Sequence, residues 1–224
     1  MTAQSTMIRD TTTTRARRSG RDSGVGVGVV ALATLTALAG CASAPERFYA
    51  LSSPAGEPGY AATGDPLGPT VVVAPAAVPD LVDRPQLVTF GDGNQVAILE
   101  QQRWAEPLRL AIPRVVAEGL ARQLGAARVS TREEALRSPD CRVYLDVRRF
   151  DARRDVAVDL EALWTVACTG DVKRSGRSVA REPVRGAGTE AIVAAQGHAL
   201  RALTRDLALV LRQAAPLLAA RGSR

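Results

Sequence analysis

The sequence predicts one mixed α/β domain that follows an N-terminal export segment. Residues 141–150 and 156–168 alternate apolar and polar side chains, which is typical of two paired strands with one buried face. Residues 108–124 and 189–216 repeat apolar side chains at helical spacing. Residues 24–40 contain no charge and come directly after an arginine-rich stretch. The sequence alone therefore predicts strands, helices and an export segment.

The N-terminal segment has the three parts of a secretory signal: a basic region, an apolar core and small residues at its end. The core ends on Leu38, Ala39 and Gly40, and Cys41 follows. This pattern resembles the lipobox of bacterial lipoproteins, in which the cysteine thiol is acylated and the signal is cut off before it. The alternative is a transmembrane anchor, but the apolar run is shorter than the roughly 20 residues that span a bilayer. The prediction is a lipid-bearing Cys41.

This assignment predicts the domain boundaries and the location of the protein. Ala42 and Ser43 are neutral, and the absence of an aspartate directly after the lipidated cysteine favours the outer membrane over retention in the inner membrane. We therefore expect a lipid-anchored domain that faces the periplasm of a Gram-negative bacterium. The predicted parts are a removed signal over 1–40, a lipidated tether over 41–47 and one domain over 48–220.

The charge of the chain argues against nucleic acid as a partner. The whole chain has a formal net charge of +6, and the signal accounts for five Arg and two Asp of it. The remaining cations are mixed with acidic residues, and no basic block is interleaved with aromatic side chains. The charge supports only a mild attraction to anionic surfaces.

The predicted elements alternate between strands and helices. A Gly/Pro-rich segment over 52–69 is expected to be a loop, and residues 171–176 are expected to be a polar turn. Pro113 lies inside the first helical pattern, so that helix is either kinked or begins near residue 113. Thr189 is the expected N-cap of the last helix, which should fade at Pro216. The expected strands are 48–51, 70–74, 86–90, 95–99, 128–130, 141–150, 156–168 and 178–184.

The two cysteines of the domain are predicted to face each other across a hairpin. A turn around residues 153–155 pairs Val143 with Val166 and sets Cys141 opposite Cys168, on the same face. Outside the cytoplasm such a pair forms a disulfide. Two buried free thiols are the alternative, and a metal site lacks further ligands because the chain has one histidine, His198.

No enzyme mechanism can be built from the residues present. The sequence contains no nucleophile elbow, zinc-protease motif, Cys-x-x-Cys or phosphate-binding loop. His198 lies in the last helical pattern, where a surface role is expected. Asp155, Asp159 and Glu161 cluster near the hairpin turn, where a solvated face is the simplest interpretation. We expect a protein that is not an enzyme and needs no cofactor or metal.

Several segments together resemble one family, the PqiC-like or ABC-type transport auxiliary lipoproteins. The two most specific segments are Val78-Pro79-Asp80-Leu81-Val82-Asp83-Arg84-Pro85-Gln86-Leu87-Val88 and Arg103-Trp104-Ala105-Glu106-Pro107-Leu108. Phe48-Tyr49-Ala50-Leu51, Arg148-Arg149-Phe150 and the long C-terminal helix occur in the matching order.

The resemblance implies a three-layer α/β/α fold with a mixed sheet, similar to the N-terminal domain of TolB. It also implies a non-catalytic accessory role in lipid transport between the inner and outer membranes, which maintains envelope integrity. The implied partner is an MCE-domain protein and, through it, an inner-membrane permease with its ATPase. Whether the domain forms a homo-oligomer is left open. A structural or assembly lipoprotein without a transport partner and a lipid-anchored hydrolase are the competing hypotheses.

We expect the docking surface for this partner to include Asp80, Asp83, Arg84 and Trp104. The alternative is structural: Arg84 forms an internal ion pair with Asp80 or Asp83, and Trp104 belongs to the core.

Overall fold

The computed structural model describes residues 44–52, 69–124, 128–132, 135 and 138–222. The predicted signal, Cys41 and nearly all of the Gly/Pro-rich segment lie outside the described residues. Pro45–Arg224 forms one compact unit. No helix among the described residues is long and apolar enough to cross a membrane.

The domain contains eight strands and two helices in its described part. In chain order these are β1 (Arg47–Tyr49), β2 (Val71–Val73), β3 (Gln86–Phe90), β4 (Val96–Trp104), α1 (Leu108–Leu124), β5 (Val129–Ser130), β6 (Cys141–Arg153), β7 (Ala157–Cys168), β8 (Val172–Pro183) and α2 (Gly188–Gly222).

The strands form two mixed sheets. The smaller sheet has the order β1-β4-β3, with β1 parallel and β3 antiparallel to β4. The larger sheet has the order β5-β2-β6-β7-β8, in which β2 runs parallel to both of its neighbours and the other pairs are antiparallel. The predicted mixed α/β class is confirmed.

Both helices pack on the same face of the larger sheet and contact each other. On this face β6 carries Cys141, Val143, Leu145 and Val147, all buried. The opposite face of β6 to β8 is polar and exposed, because the residues between the apolar positions are mostly charged. A sheet with a single apolar face binds helices on that face only.

The predicted hairpin register is confirmed. Cys141 lies opposite Cys168, Val143 opposite Val166 and Leu145 opposite Trp164. A bulge after Val147 then shifts the pairing by one residue. A disulfide joins Cys141 and Cys168 at the open end of the hairpin. Closing a loop of this size contributes about 3 kcal/mol in the chain-entropy model.

Pro113 is accommodated inside α1, which begins at Leu108 and not near residue 113. A proline has no N–H to donate to the carbonyl four residues earlier, which here belongs to Arg109. The backbone N–H of Ala76 donates to this Arg109 carbonyl at 3.1 Å. The hydrogen bond that the helix lacks is thus replaced by a bond to the segment after β2.

Three boundaries differ from the sequence prediction. The strand expected over 95–99 continues to Trp104, and the turn expected over 171–176 is mostly β8. The turn between β7 and β8 is shorter than predicted, because Gly170 and Asp171 adopt positive φ angles of 67° and 59°. The last helix passes Pro216 and reaches Gly222.

Thr189 is also not the N-cap of the last helix. Its hydroxyl donates to the Gln102 side-chain oxygen, which ties the start of α2 to β4.

β8 is fastened to α2 through a buried polar chain. The indole Nε1–H of Trp164 donates to Ser178 Oγ at 3.1 Å, and the Ser178 hydroxyl donates to Asp206 Oδ2 at 2.5 Å. Gly176 makes room for the indole, since a Cβ there would lie 2.3 Å from a Trp164 ring carbon. Small residues on β8 therefore allow Trp164 to lie against this strand.

The two helices approach each other closely at Gly119. A Cβ at this position would lie 2.7 Å from Thr204 Cγ2, and Thr204 is buried. We expect Gly119→Ala to lower the free energy of unfolding by about 1 kcal/mol, since the clash outweighs the better helix propensity of alanine. Adding Thr204→Ser removes Cγ2 and should recover most of the loss in urea denaturation. Gly91→Ala, where the nearest atom is 3.6 Å away, is the control. A Gly119→Ala protein as stable as the wild type would contradict this packing.

Candidate functional site

The two most specific segments of the sequence meet in the smaller sheet. Gln86 at the start of β3 lies opposite Arg103 near the end of β4. The Trp104 N–H donates to the Pro85 carbonyl at 2.7 Å, and the Ala105 N–H donates to the Tyr49 carbonyl at 2.9 Å. Backbone hydrogen bonds thus join the segments 78–88 and 103–108, which lie about twenty positions apart in the chain.

A turn over residues 79–84 projects from this junction, and we call it the docking turn. The N–H groups of Val82 and Asp83 both donate to the Pro79 carbonyl at 3.0 Å. Val82 is buried and anchors the turn, whereas Asp80 and Leu81 are exposed. Leu81 is 43% exposed and is one of ten large apolar side chains of the described residues that lie exposed.

Asp83 has a structural partner. Its Oδ1 accepts a hydrogen bond from the Arg109 N–H at 3.2 Å, and its Oδ2 lies 3.1 Å from Arg109 Nη1. The side chain is only 11% exposed. A carboxylate at the first turn of a helix satisfies a free N–H group and interacts favourably with the helix dipole. Asp83 therefore fixes the docking turn against the start of α1.

Trp104 lies in the core and is 7% exposed, so it is not part of an exposed docking surface. The side chain belongs to the same hydrophobic core as Val82 of the docking turn, because β4 continues to residue 104. The expected internal ion pair of Arg84 is also not formed. Asp83 pairs with Arg109, and Arg84 Nε lies 3.5 Å from Gln86 Oε1. Arg84 is half-buried at the edge of the turn.

Arg114 on α1 holds the second segment in place, and the sequence prediction missed it. Its guanidinium donates to Glu106 at 2.8 Å, to Glu118 at 2.8 Å and to the Leu51 carbonyl at 2.8 Å. Partial burial lowers the pKa of Arg114, but the hydrogen bonds to the two carboxylates outweigh this and raise the pKa overall. The one local sequence signal for this role of Arg114 was its spacing of four residues from Glu118, which brings the two side chains together on a helix.

His198, the one histidine of the chain, lies beside an arginine. His198 is exposed and its Nδ1 lies 2.6 Å from Arg201 Nη2. Desolvation lowers the pKa of His198, and the Arg201 guanidinium lowers it further.

Of the three carboxylates predicted to be solvated, Asp155 is exposed, whereas the other two pair with arginines: Asp159 with Arg153 and Arg181, and Glu161 with Arg177. The Arg177 hydrogen bond lowers the pKa of Glu161. In the part of the chain that the structure describes, no three His, Cys, Asp or Glu side chains could hold a metal ion.

Two solved structures share this fold. One, a crystal structure of an uncharacterized protein, is 20% identical with a TM-score of 0.61, covering 75% of this chain and 99% of the other. The second, a protein from Xanthomonas campestris described as a member of DUF330, is 19% identical with a TM-score of 0.58, covering 75% and 97%. The chain therefore has the same fold as these two proteins.

A comparison with protein-family models identifies the family of this chain. The model of the ABC-type transport auxiliary lipoprotein component matches residues 49–208. The chain belongs to this family, whose members are auxiliary components of transport systems. The match includes the docking turn and both of the specific segments. No curated protein matches the sequence.

We expect Asp83 and Asp80 to differ in their effect on stability. Asp83→Ala should cost about 1 kcal/mol of unfolding free energy, because it removes a helix-terminal hydrogen bond and the Arg109 contact. Asp80→Ala, on the same turn but exposed, should change stability by less than about 0.5 kcal/mol. Urea denaturation of both variants measures the difference. Equal effects would show that Asp83 does not hold the turn.

Proposed function

We propose that this protein is a lipid-anchored accessory subunit of an intermembrane lipid transport system that contains an MCE-domain protein. The family match over residues 49–208 is the observation that carries the proposal, because it makes the chain an auxiliary transport component. The acylated Cys41 holds the domain at the outer membrane, and the domain receives the transport assembly from the periplasmic side. The role is docking and not catalysis.

A short tether supports a position close to the membrane. β1 begins at Arg47, six residues after Cys41. Even a fully extended chain of six residues reaches only about 20 Å. Several acyl chains on one cysteine bind a bilayer firmly, at about 0.8 kcal/mol per buried methylene. The domain would therefore remain at the membrane surface, where an assembly that crosses the periplasm must end.

The docking turn has the chemistry of a protein contact. Leu81 supplies an exposed apolar group, and Asp80 and Arg84 lie beside it in sequence with opposite charges. Apolar contacts surrounded by charged groups are typical of specific interfaces, in which the charges select the partner and orient it. Asp83 and Trp104 do not contact the partner in this proposal. They hold the turn from below.

We expect Cys41→Ala to abolish lipid attachment. The wild-type protein should incorporate labelled palmitate, and its intact mass should show a chain that begins at an acylated Cys41. The variant should incorporate none, because no other residue offers the thiol that is modified. The double variant Cys141→Ala/Cys168→Ala is the control and should incorporate label normally. Labelling of the Cys41→Ala protein would refute the anchor.

We expect the docking turn to be required for recovery of the transport partner. Affinity purification of the tagged lipoprotein from gently solubilised membranes, followed by mass spectrometry, should recover an MCE-domain protein. Leu81→Glu and Arg84→Glu should each reduce this recovery at least about tenfold, as loss of a central interface contact does. Leu209→Glu changes an equally exposed leucine on α2 and should have no effect. The unfolding temperature of each variant should match that of the wild type, so that a reduced recovery reflects a lost contact and not an unfolded domain.

Two results would overturn this proposal. Undiminished recovery with both turn variants would show that the partner binds elsewhere. Recovery of only outer-membrane or cell-wall components by the wild-type protein would favour a structural or assembly lipoprotein.

A further inference from the structure

The outermost strand of the larger sheet has a backbone edge that pairs with no other strand of the described residues. β8 is twelve residues long, pairs with β7 on its other side and ends the strand order β5-β2-β6-β7-β8. The other edge strands of the described residues, β1, β3 and β5, have three, five and two residues. An edge strand presents free N–H and C=O groups that can pair with another chain. Only β8 is long enough to receive an extended segment of more than a few residues.

The side chains of β8 are strongly biased in charge. The strand contains Lys173, Arg174, Arg177 and Arg181 but only one acidic residue, Glu182. Lys173, Arg177 and Arg181 recur every four residues, so they project from the same face of the sheet. This is the open face, which neither α1 nor α2 covers.

These cations are available to a partner. Arg177 donates to Glu161 and Arg181 to Asp159, yet their side chains remain 57% and 54% exposed. Lys173 and Arg174 are exposed, and neither forms an ion pair with a carboxylate of the described residues. The positive charge of this edge is thus only partly neutralised by β7.

The edge is unsuited to a second copy of itself. Antiparallel pairing of two β8 strands would set basic side chains against basic side chains, which destabilises a sheet. An acidic segment would instead place carboxylates opposite Lys173, Arg177 and Arg181. Opposite charges across paired strands each contribute roughly 0.2–1 kcal/mol. The charge of β8 therefore selects against self-association and favours an acidic partner.

A recess adjoins the C-terminal end of β8. It has a volume of about 140 Å³ and lies between Pro183 and the helix residues Ala191, Ala194 and Ala195, with Glu182, Arg185 and His198 also lining it. Its wall therefore combines alanine methyl groups with charged and polar side chains. A strand added to β8 would bring one of its end residues to this recess.

We propose that β8 binds an extended acidic segment of another protein by strand addition. Backbone hydrogen bonds to β8 supply the affinity, and the basic side chains of the edge select the sequence. The surface is distinct from the docking turn, and the proposal does not depend on lipid anchoring or on a transport partner.

The test uses two fluorescein-labelled peptides of twelve residues and equal charge. In the first, glutamate alternates with valine. In the second, the valines are replaced by proline, which cannot donate backbone hydrogen bonds. Fluorescence anisotropy should show binding of the Glu-Val peptide at least about tenfold tighter than binding of the Glu-Pro peptide. Amide hydrogen exchange of β8 should slow when the Glu-Val peptide is bound and stay unchanged with the Glu-Pro peptide.

Charge reversal on the protein locates the site. Lys173→Glu/Arg174→Glu should weaken Glu-Val binding at least about tenfold. The control Arg47→Glu/Arg132→Glu makes the same change in net charge at exposed positions on β1 and after β5. Its affinity should stay within about twofold of the wild type, and its unfolding temperature should match. Three results would each overturn the proposal: equal affinity for both peptides, equal loss of affinity in both protein variants, or no slowing of amide exchange in β8. Each would show that the basic residues only protect the edge from pairing with other strands.

Discussion

The antiparallel pairing of β6 with β7 is the interaction on which the rest of the domain depends. Its register places the apolar residues of both strands on one face and their charged residues on the other. The apolar face receives both helices, while β2 and β8 extend the sheet on either side. A slip of one residue would turn every side chain to the wrong face. The Cys141–Cys168 bond holds the hairpin at its open end and excludes such a slip.

A second constraint operates in the smaller sheet, in the short region that holds the proposed docking turn. The Trp104 backbone supports the docking turn, Asp83 joins it to α1, and Arg114 fastens the segment that follows β4. Sequence specificity in this region therefore comes from two different requirements. Buried groups such as Trp104 are needed to form the turn, and exposed groups such as Leu81 are free to meet a partner.

Local patterns were enough to predict most of the fold. Period-two alternation determined the register of the main hairpin and hence the disulfide, since both follow from which residues share a face. The structure of the docking turn was harder to predict, because the burial of Trp104 and the Asp83–Arg109 contact depend on where β4 ends relative to α1. The Ala76–Arg109 hydrogen bond and the Arg114 contact with Leu51 join distant parts of the chain. No periodicity in the sequence encodes such contacts.

The position of Trp164 has a consequence for spectroscopy. The chain has two tryptophans, and each lies near a different surface: Trp104 is buried in the core with its backbone N–H bonded to Pro85, next to the docking turn, and Trp164 packs against the edge strand β8. Trp164 is half-buried and its indole N–H is already bonded to Ser178, so its emission responds to the polarity and water content around β8. Replacing either indole by phenylalanine leaves a single intrinsic fluorophore. The protein thus contains a separate optical reporter for each surface, without any attached dye.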